Sequence, residues 1–199
     1  MPYGKPWALG PFTKDPRPIL EPNPASSFLC PVSGRTVAWE SSNVFNPAAV
    51  MKDSEVHLFY RADDEPKRDD RGVFYTCRIG HARSSDGESF TRSEEPVLHP
   101  DNDFLLPYTW ERGLWDPHIL EDEAGTYYLY YNTDNGTTHR RRAATSQDRV
   151  EWRKHGSIFQ RSRGEDHEAI NGLVRLGDRW HLYYGGAGSG PTRPRVSRS

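Results

Sequence analysis

Three segments of the chain share a leucine followed by two aromatic residues: VHLFYR (56–61), YYLYYN (127–132) and WHLYYG (180–185), aligned on Leu58, Leu129 and Leu182. Short apolar and aromatic runs of this kind, bounded by turn residues, read as buried β-strands. Behind the first two lies a second shared pattern, ARSSDGESF (82–90) and ATSQDRVEW (144–152), in which Asp86 and Asp148 are 62 residues apart and so are Phe90 and Trp152. An Asp-Gly or Asp-Arg step between extended runs is turn chemistry, because the Asp side chain can accept backbone N–H groups. Ahead of each Leu-aromatic run is another apolar stretch, NPAAVM (46–51), DPHIL (116–120) and EAINGLV (168–174).

Each unit therefore reads strand, turn, strand, strand, turn, strand, the four-stranded antiparallel blade of a β-propeller. A β-sandwich also yields short strands with turn signals, but it does not require its hairpins to repeat in sequence. The fold class expected is all-β, a propeller that is incomplete in this chain, with about three blades. Residues 1–43 form a Pro-rich extended segment packing on the propeller, 44–187 the partial catalytic propeller, and GSGPTRPRVSRS (188–199) a disordered basic tail with no strand signal. The segments 63–72 and 99–113 read as long loops, and no helix-period segment stands out.

Charge narrows the partners. Against 28 acidic residues stand 26 basic ones, a net charge of -2, so there is no electrostatic footprint for nucleic acid or for an anionic membrane. Cys30 and Cys77 cannot make a disulfide framework and have no neighbouring Cys or His at metal-ligand spacing. They are expected to be reduced thiols, with no metal and no cofactor. No window approaches a membrane span, and the N-terminus lacks the pattern of a signal peptide, so the expected location is cytoplasmic.

In a propeller the first strand of each blade lies nearest the axis, and the loops entering these strands crowd one mouth of the channel. Asn46, Asp116 and Glu168 precede Leu58, Leu129 and Leu182 by 12, 13 and 14 residues and so converge there. Two facing carboxylates with aromatic neighbours such as Tyr108, Trp110 and Trp115 suit sugar chemistry: one protonates the departing oxygen and the other activates water. The bland reading is that Asp116 supports the turn before Pro117 and that Glu168 is a solvated loop acid.

The ordered series KPWALGPFTKDPRPILEP (5–22), WESSNVFNPAAV (39–50), LFYRADD (58–64), RIGHARSSDGESFTR (78–92) and PVLHPDND (96–103), continued more loosely by WDPHILEDEAGTYYLYYN, resembles glycoside hydrolase family 130. That family comprises five-bladed propeller mannoside phosphorylases and β-mannosidases. The resemblance covers roughly residues 5–187 and implies a truncated member. It implies Asp116 as proton donor, Asn46 as a sugar contact on the inner strand, and Arg61 and Asp63 lining the same pocket, with Arg78 structural. Trp115 and His118 stand where the family has Glu and Arg around the Asp-Pro, and are expected to meet the substrate.

Where phosphorylases of the family present basic residues for phosphate, this chain has EDHEAING (165–172). A dianion beside carboxylates is penalised. The sequence therefore favours inverting hydrolysis of a mannose-containing oligosaccharide, with Asp116 as acid and Glu168 as base. The alternatives are a mannoside phosphorylase taking inorganic phosphate and yielding mannose 1-phosphate, a non-catalytic carbohydrate-binding propeller fragment, and a propeller serving as a protein-interaction platform.

Overall fold

The structure, a computed structural model, describes residues 13–158, 170–176, 179–184 and 195–198. In chain order the strands are β1 (Phe28–Leu29), β2 (Thr36–Val37), β3 (Asn43–Lys52), β4 (Glu55–Asp63), β5 (Lys67–Asp69), β6 (Gly72–Phe74), β7 (Cys77–Ser84) and β8 (Thr91–Arg92). One helical turn, α1 (Leu106–Thr109), precedes β9 (Gly113–Glu121), β10 (Tyr127–Asp134), β11 (His139–Ser146) and β12 (Arg153–Ser157). The last described strands are β13 (Ile170–Leu176), β14 (Arg179–Tyr184) and β15 (Arg195–Arg198).

Strands β3-β4-β7-β8 form one antiparallel blade and β9-β10-β11-β12 the next, while β13-β14-β15 make a separate three-stranded sheet. Among the described residues the strand pairing between the first two blades is one parallel bridge, Cys77 to Gly113, reinforced by the Cys77 N–H donating to the Arg112 carbonyl at 3.0 Å. A Cβ on Gly113 would fall on the Cys77 backbone, so this seam requires a residue without one.

The burial pattern explains why the Leu-aromatic strands lack polar alternation. A propeller strand is covered on both faces, by the neighbouring blade on one side and by the next layer on the other. On one face of β4, Phe59 joins Ile79, Leu98, Leu114, Leu129, Tyr131 and Ala144 in a core that spans both blades. On the other, Tyr60 and Ala62 pack with Phe28, Cys30 and Trp39 from the N-terminal segment. The buried Glu40 fastens that segment, accepting from the Tyr60 hydroxyl at 2.8 Å and from Arg92 at 2.9 Å.

Two loops hold more regular structure than their sequence suggests. Segment 63–72 opens a small hairpin, β5 paired with β6, and the loop 99–113 contains α1. The tail at 188–199, expected to be disordered, supplies β15, which pairs with β14 from Tyr184–Arg195 to His181–Arg198. The physical reason is the free edge of β14: its unpaired backbone groups are satisfied by any extended segment that reaches them, whatever its side chains.

Candidate active site

The inner strands β3 and β9 carry the same irregularity. In β3 the register slips between Phe45 and Ala48, and in β9 between Trp115 and His118, so Asn46-Pro47 and Asp116-Pro117 each form a β-bulge. Asn46 and Asp116 both adopt a left-handed backbone, at φ 48° and 50°. Asx side chains tolerate that conformation better than most, and the following proline has no N–H to leave unpaired. A bulge re-aims a side chain out of the sheet's alternation, and here both re-aimed groups meet. The Asn46 amide donates to Asp116 Oδ1 at 2.7 Å across the two blades.

Arg61 completes the cluster. Its Nη1 lies 3.9 Å from Asp116 Oδ1, and its Nε donates to Asp63 Oδ1 at 3.0 Å. The guanidinium is sandwiched between Phe45 and Trp115, 4.6 and 4.5 Å from the ring centres. Cation–π contacts with two rings, plus a buried carboxylate partner, fix a long side chain that would otherwise be mobile. Asp63 is itself held by Asn43 at 3.2 Å. Beneath it Cys77 is buried, and burial pushes its thiol well above the ordinary value, so it is a neutral packing group.

The expected residues thus divide. Asn46, Arg61, Asp63, Asp116 and Trp115 come together at the mouth of the two blades. Asp116 keeps 30% of its side chain exposed, whereas Asp63 keeps 2%, so Asp116 is the carboxylate a substrate can reach and Asp63 the one that orients Arg61. His118 sits on the far side of the β9 bulge, half-buried, opposite Tyr130. Arg78 is buried and paired with Asp64 at 3.2 Å, a structural role. Glu168 lies outside the described residues. In the third inner strand Leu173 pairs with Leu182 as Ala49 does with Leu58 and Ile119 with Leu129, so Ile170 occupies the register position of Asn46 and Asp116.

Phe45, Asn43 and His139 are participants that the sequence reading missed. His139 meets Trp115 edge-on with ring centres 5.3 Å apart. The signal for Phe45 was present, since aromatic-Asx-Pro occurs in both inner strands as Phe45-Asn46-Pro47 and Trp115-Asp116-Pro117. Among the described residues no group of three or more His, Cys, Asp or Glu is arranged to hold a metal ion.

Comparison with known proteins places these features in a family. Residues 14–179 match the glycoside hydrolase family 130 description, beta-1,4-mannooligosaccharide phosphorylase. A 1,2-beta-oligomannan phosphorylase of Thermoanaerobacter sp. (strain X514) is 35% identical over 125 residues, covering 61% of this chain and 40% of that protein. A glycosyl hydrolase from Bacteroides ovatus superposes with a TM-score of 0.76 at 31% identity, covering 89% of this chain and 54% of that one. A further structure represents the GH130 family of mannoside phosphorylases, described as containing glycoside hydrolases that target beta-1,2 mannosidic linkages in Candida mannan. It superposes with a TM-score of 0.77 at 29% identity, covering 97% of this chain and 60% of that one. The chain thus spans 40% of the curated relative's length and little more than half of each structure's.

Proposed function

Because the chain belongs to glycoside hydrolase family 130, a family of mannoside-active propeller enzymes, we propose that it cleaves a β-mannosidic linkage by phosphorolysis, with Asp116 as the acid. The observation that carries the assignment of the acid is the bulge pair: Asp116 is turned out of its strand by a left-handed backbone, held by Asn46 from the neighbouring blade, and left accessible. Strained backbone at a convergent, open position is where function concentrates.

In the proposed reaction the Asp116 carboxyl gives its proton to the departing glycosidic oxygen as the bond from that oxygen to C1 breaks. A phosphate oxygen forms the new bond to C1 from the opposite face, yielding mannose 1-phosphate and a shortened acceptor. Arg61, rigid between two aromatic rings, offsets negative charge beside Asp116. Relatives named as phosphorylases support phosphate as the attacking group. The case for water rested on Glu168, and the register of β13 favours Ile170 at the matching position.

Hydrolysis is the second reading. It is favoured by the departures Trp115 and His118 beside the acid and by a structural relative whose family includes hydrolases. The test follows product from a β-manno-oligosaccharide with and without inorganic phosphate. Sugar 1-phosphate formed only with phosphate supports phosphorolysis. Free mannose at an equal rate without it establishes hydrolysis, and binding without turnover under either condition identifies a binding module.

A further inference from the structure

Outward from Asp116, on the same end of the blades, three segments enclose a cavity of about 260 Å³. The β5–β6 hairpin contributes Arg71 and Phe74, the connector before β9 contributes Trp110 and Arg112, and the β10–β11 turn contributes Gly136 and Thr137. None of these residues has a part in the reaction above.

The cavity is built around Arg112. Its Nη2 donates to Asp69 Oδ2 at 2.7 Å, and its guanidinium lies over the Phe74 ring at 4.8 Å, so the β5–β6 hairpin fixes the position of a side chain carried by the connector before β9. Gly136 has φ 85°, and a Cβ there would stand 2.8 Å from Arg112 Nε and 3.6 Å from Arg71 Nη1. The missing side chain is what lets both guanidiniums converge over that turn. The wall of this cavity is also a wall of the acid's surroundings: Trp115 Nε1 donates to the Arg112 carbonyl at 3.0 Å, while the Trp115 ring packs on Arg61.

Its chemistry suits a neutral polyhydroxylated ring. Arg71 and Arg112 are outnumbered by Asp69, Asp70 and Glu111, so the lining carries one net negative charge and disfavours a phosphate. The Asp69 carboxylate, held by Arg112, and the guanidiniums offer acceptors and donors for vicinal hydroxyls, and the half-buried Trp110 offers aromatic surface for the apolar face of a pyranose. The volume lies below the ~300–1,000 Å³ of sites for drug-sized ligands, which fits a single sugar unit and not a chain.

We propose that this cavity is a distal subsite for a neutral sugar unit of the oligosaccharide whose scissile bond lies at Asp116, the chain passing over Trp115 between the two positions. The proposal rests on the assignment of Asp116 for its reaction but not for its binding. It makes the protein a selector of chain length: a disaccharide cannot fill both places, and a longer chain can.

The experiment measures binding and turnover for a β-manno-oligosaccharide ladder from two to five units, in the wild type, Arg112→Ala and Thr137→Trp. The last fills the cavity from an exposed turn position and so does not depend on removing a packed residue. In the wild type, affinity and kcat/KM rise by about tenfold at the unit that reaches the cavity, the factor for one contact worth about 1.4 kcal/mol. In both variants that step falls below about twofold, as an affinity ratio between longer and shorter ligands in the same protein. A flat ladder in the wild type, or a step surviving in both variants, overturns the subsite. So does inorganic phosphate binding that is lost in Arg112→Ala, since that identifies an anion site. A length-dependent affinity step that Thr137→Trp abolishes, without mannoside turnover, upholds the subsite while refuting the reaction.

Discussion

The bulges of β3 and β9 are the same backbone device with different chemistry. Each follows an aromatic residue, each ends in proline, each holds an Asx residue near φ 50°, and they face one another at 2.7 Å. One side chain is an amide that can only hold, and the other is an acid that can give a proton. The repeat supplies the geometry twice and places an acid at only one of the two positions. The aromatic neighbours of both units, Phe45 and Trp115, are used jointly, as the two faces of the Arg61 clamp.

The sharpest way to break this comparison is to equalise the two side chains. Asp116→Asn leaves two amides at the contact and removes the proton donor, so turnover falls by about 10²–10⁴-fold while sugar affinity persists. The converse, Asn46→Asp, places two carboxylates in contact; they share a proton and titrate as one dyad, which moves the alkaline limb of the pH–rate profile to higher pH. Steady-state rates and calorimetric sugar binding check both. If Asp116→Asn keeps full activity, Asp116 is only a bulge residue and the acid lies elsewhere.

Next in size is the seam between the blades. Gly113→Ala drives a methyl group onto the Cys77 backbone at the single bridge joining blades one and two, and costs about 2–4 kcal/mol. Chemical denaturation measures it. A cost under about 1 kcal/mol would mean that the blades do not depend on this close approach.

The blades also differ in acid sensitivity. Blade one buries a histidine pair in which His57 Nδ1 and His81 Nε2 are 3.0 Å apart and Ser93 Oγ lies 3.1 Å from His81 Nδ1. At the corresponding register positions blade two has Tyr128 and Ala143. Burial holds His81 down at about 4 instead of its ordinary 6.5, helped by His57, Arg149 and Arg83, and burial also lowers His57. Because the folded state prefers neutral imidazole, the contribution is complete above about pH 6.5 and is lost as the pH falls towards 4. The loss amounts to about 1–3 kcal/mol. Denaturation at pH 7.5 and pH 5 in the wild type and in His81→Leu checks it, the variant losing less on acidification. An equal loss in both proteins would place the acid sensitivity outside the pair.

These differences show what the sequence disclosed and what it hid. The Leu-aromatic strands and the 62-residue hairpin offset were legible because strand burial and turn chemistry are local and repeated. The meeting of Asn46 with Asp116 was legible from phase alone. Glu168 entered by the same counting and lies outside the described residues. The pairing of Leu173 with Leu182 matches that of Ala49 with Leu58, and three residues back from each lie Ile170 and Asn46. The Arg61 clamp and the cavity at Arg112 were not legible, because each joins segments from two blades and depends on packing that no local pattern encodes. The β15 pairing was hidden for a related reason: it depends on an available edge and not on its own residues.

The smallest expected effect tests whether the two hairpins are as equivalent as their sequences. In blade one Ser84 Oγ donates to Asp86 Oδ1 at 2.7 Å and accepts the Gly87 N–H at 2.8 Å; in blade two Ser146 Oγ donates to Asp148 at 3.0 Å and accepts the Arg149 N–H at 2.8 Å. Asp86 and Asp148 then accept two further backbone N–H groups each, which lowers both carboxyls below their ordinary range. Both serines are buried, so Ser84→Ala and Ser146→Ala each leave turn donors short of an acceptor, at about 1 kcal/mol apiece. Because the turns belong to different blades and share no partner, the double variant should lose the sum to within about 0.5 kcal/mol. The one asymmetry is Arg149, which adopts φ 70° where blade one has glycine, and whose guanidinium is held by the Tyr127 hydroxyl at 2.8 Å. That contact holds the strained residue in place from outside the turn, so Ser146→Ala should cost slightly less than Ser84→Ala. Thermal denaturation of the two single variants and the double settles it: a much larger loss in blade two, or strong non-additivity, would show that the hairpins share a sequence pattern without sharing a mechanical role.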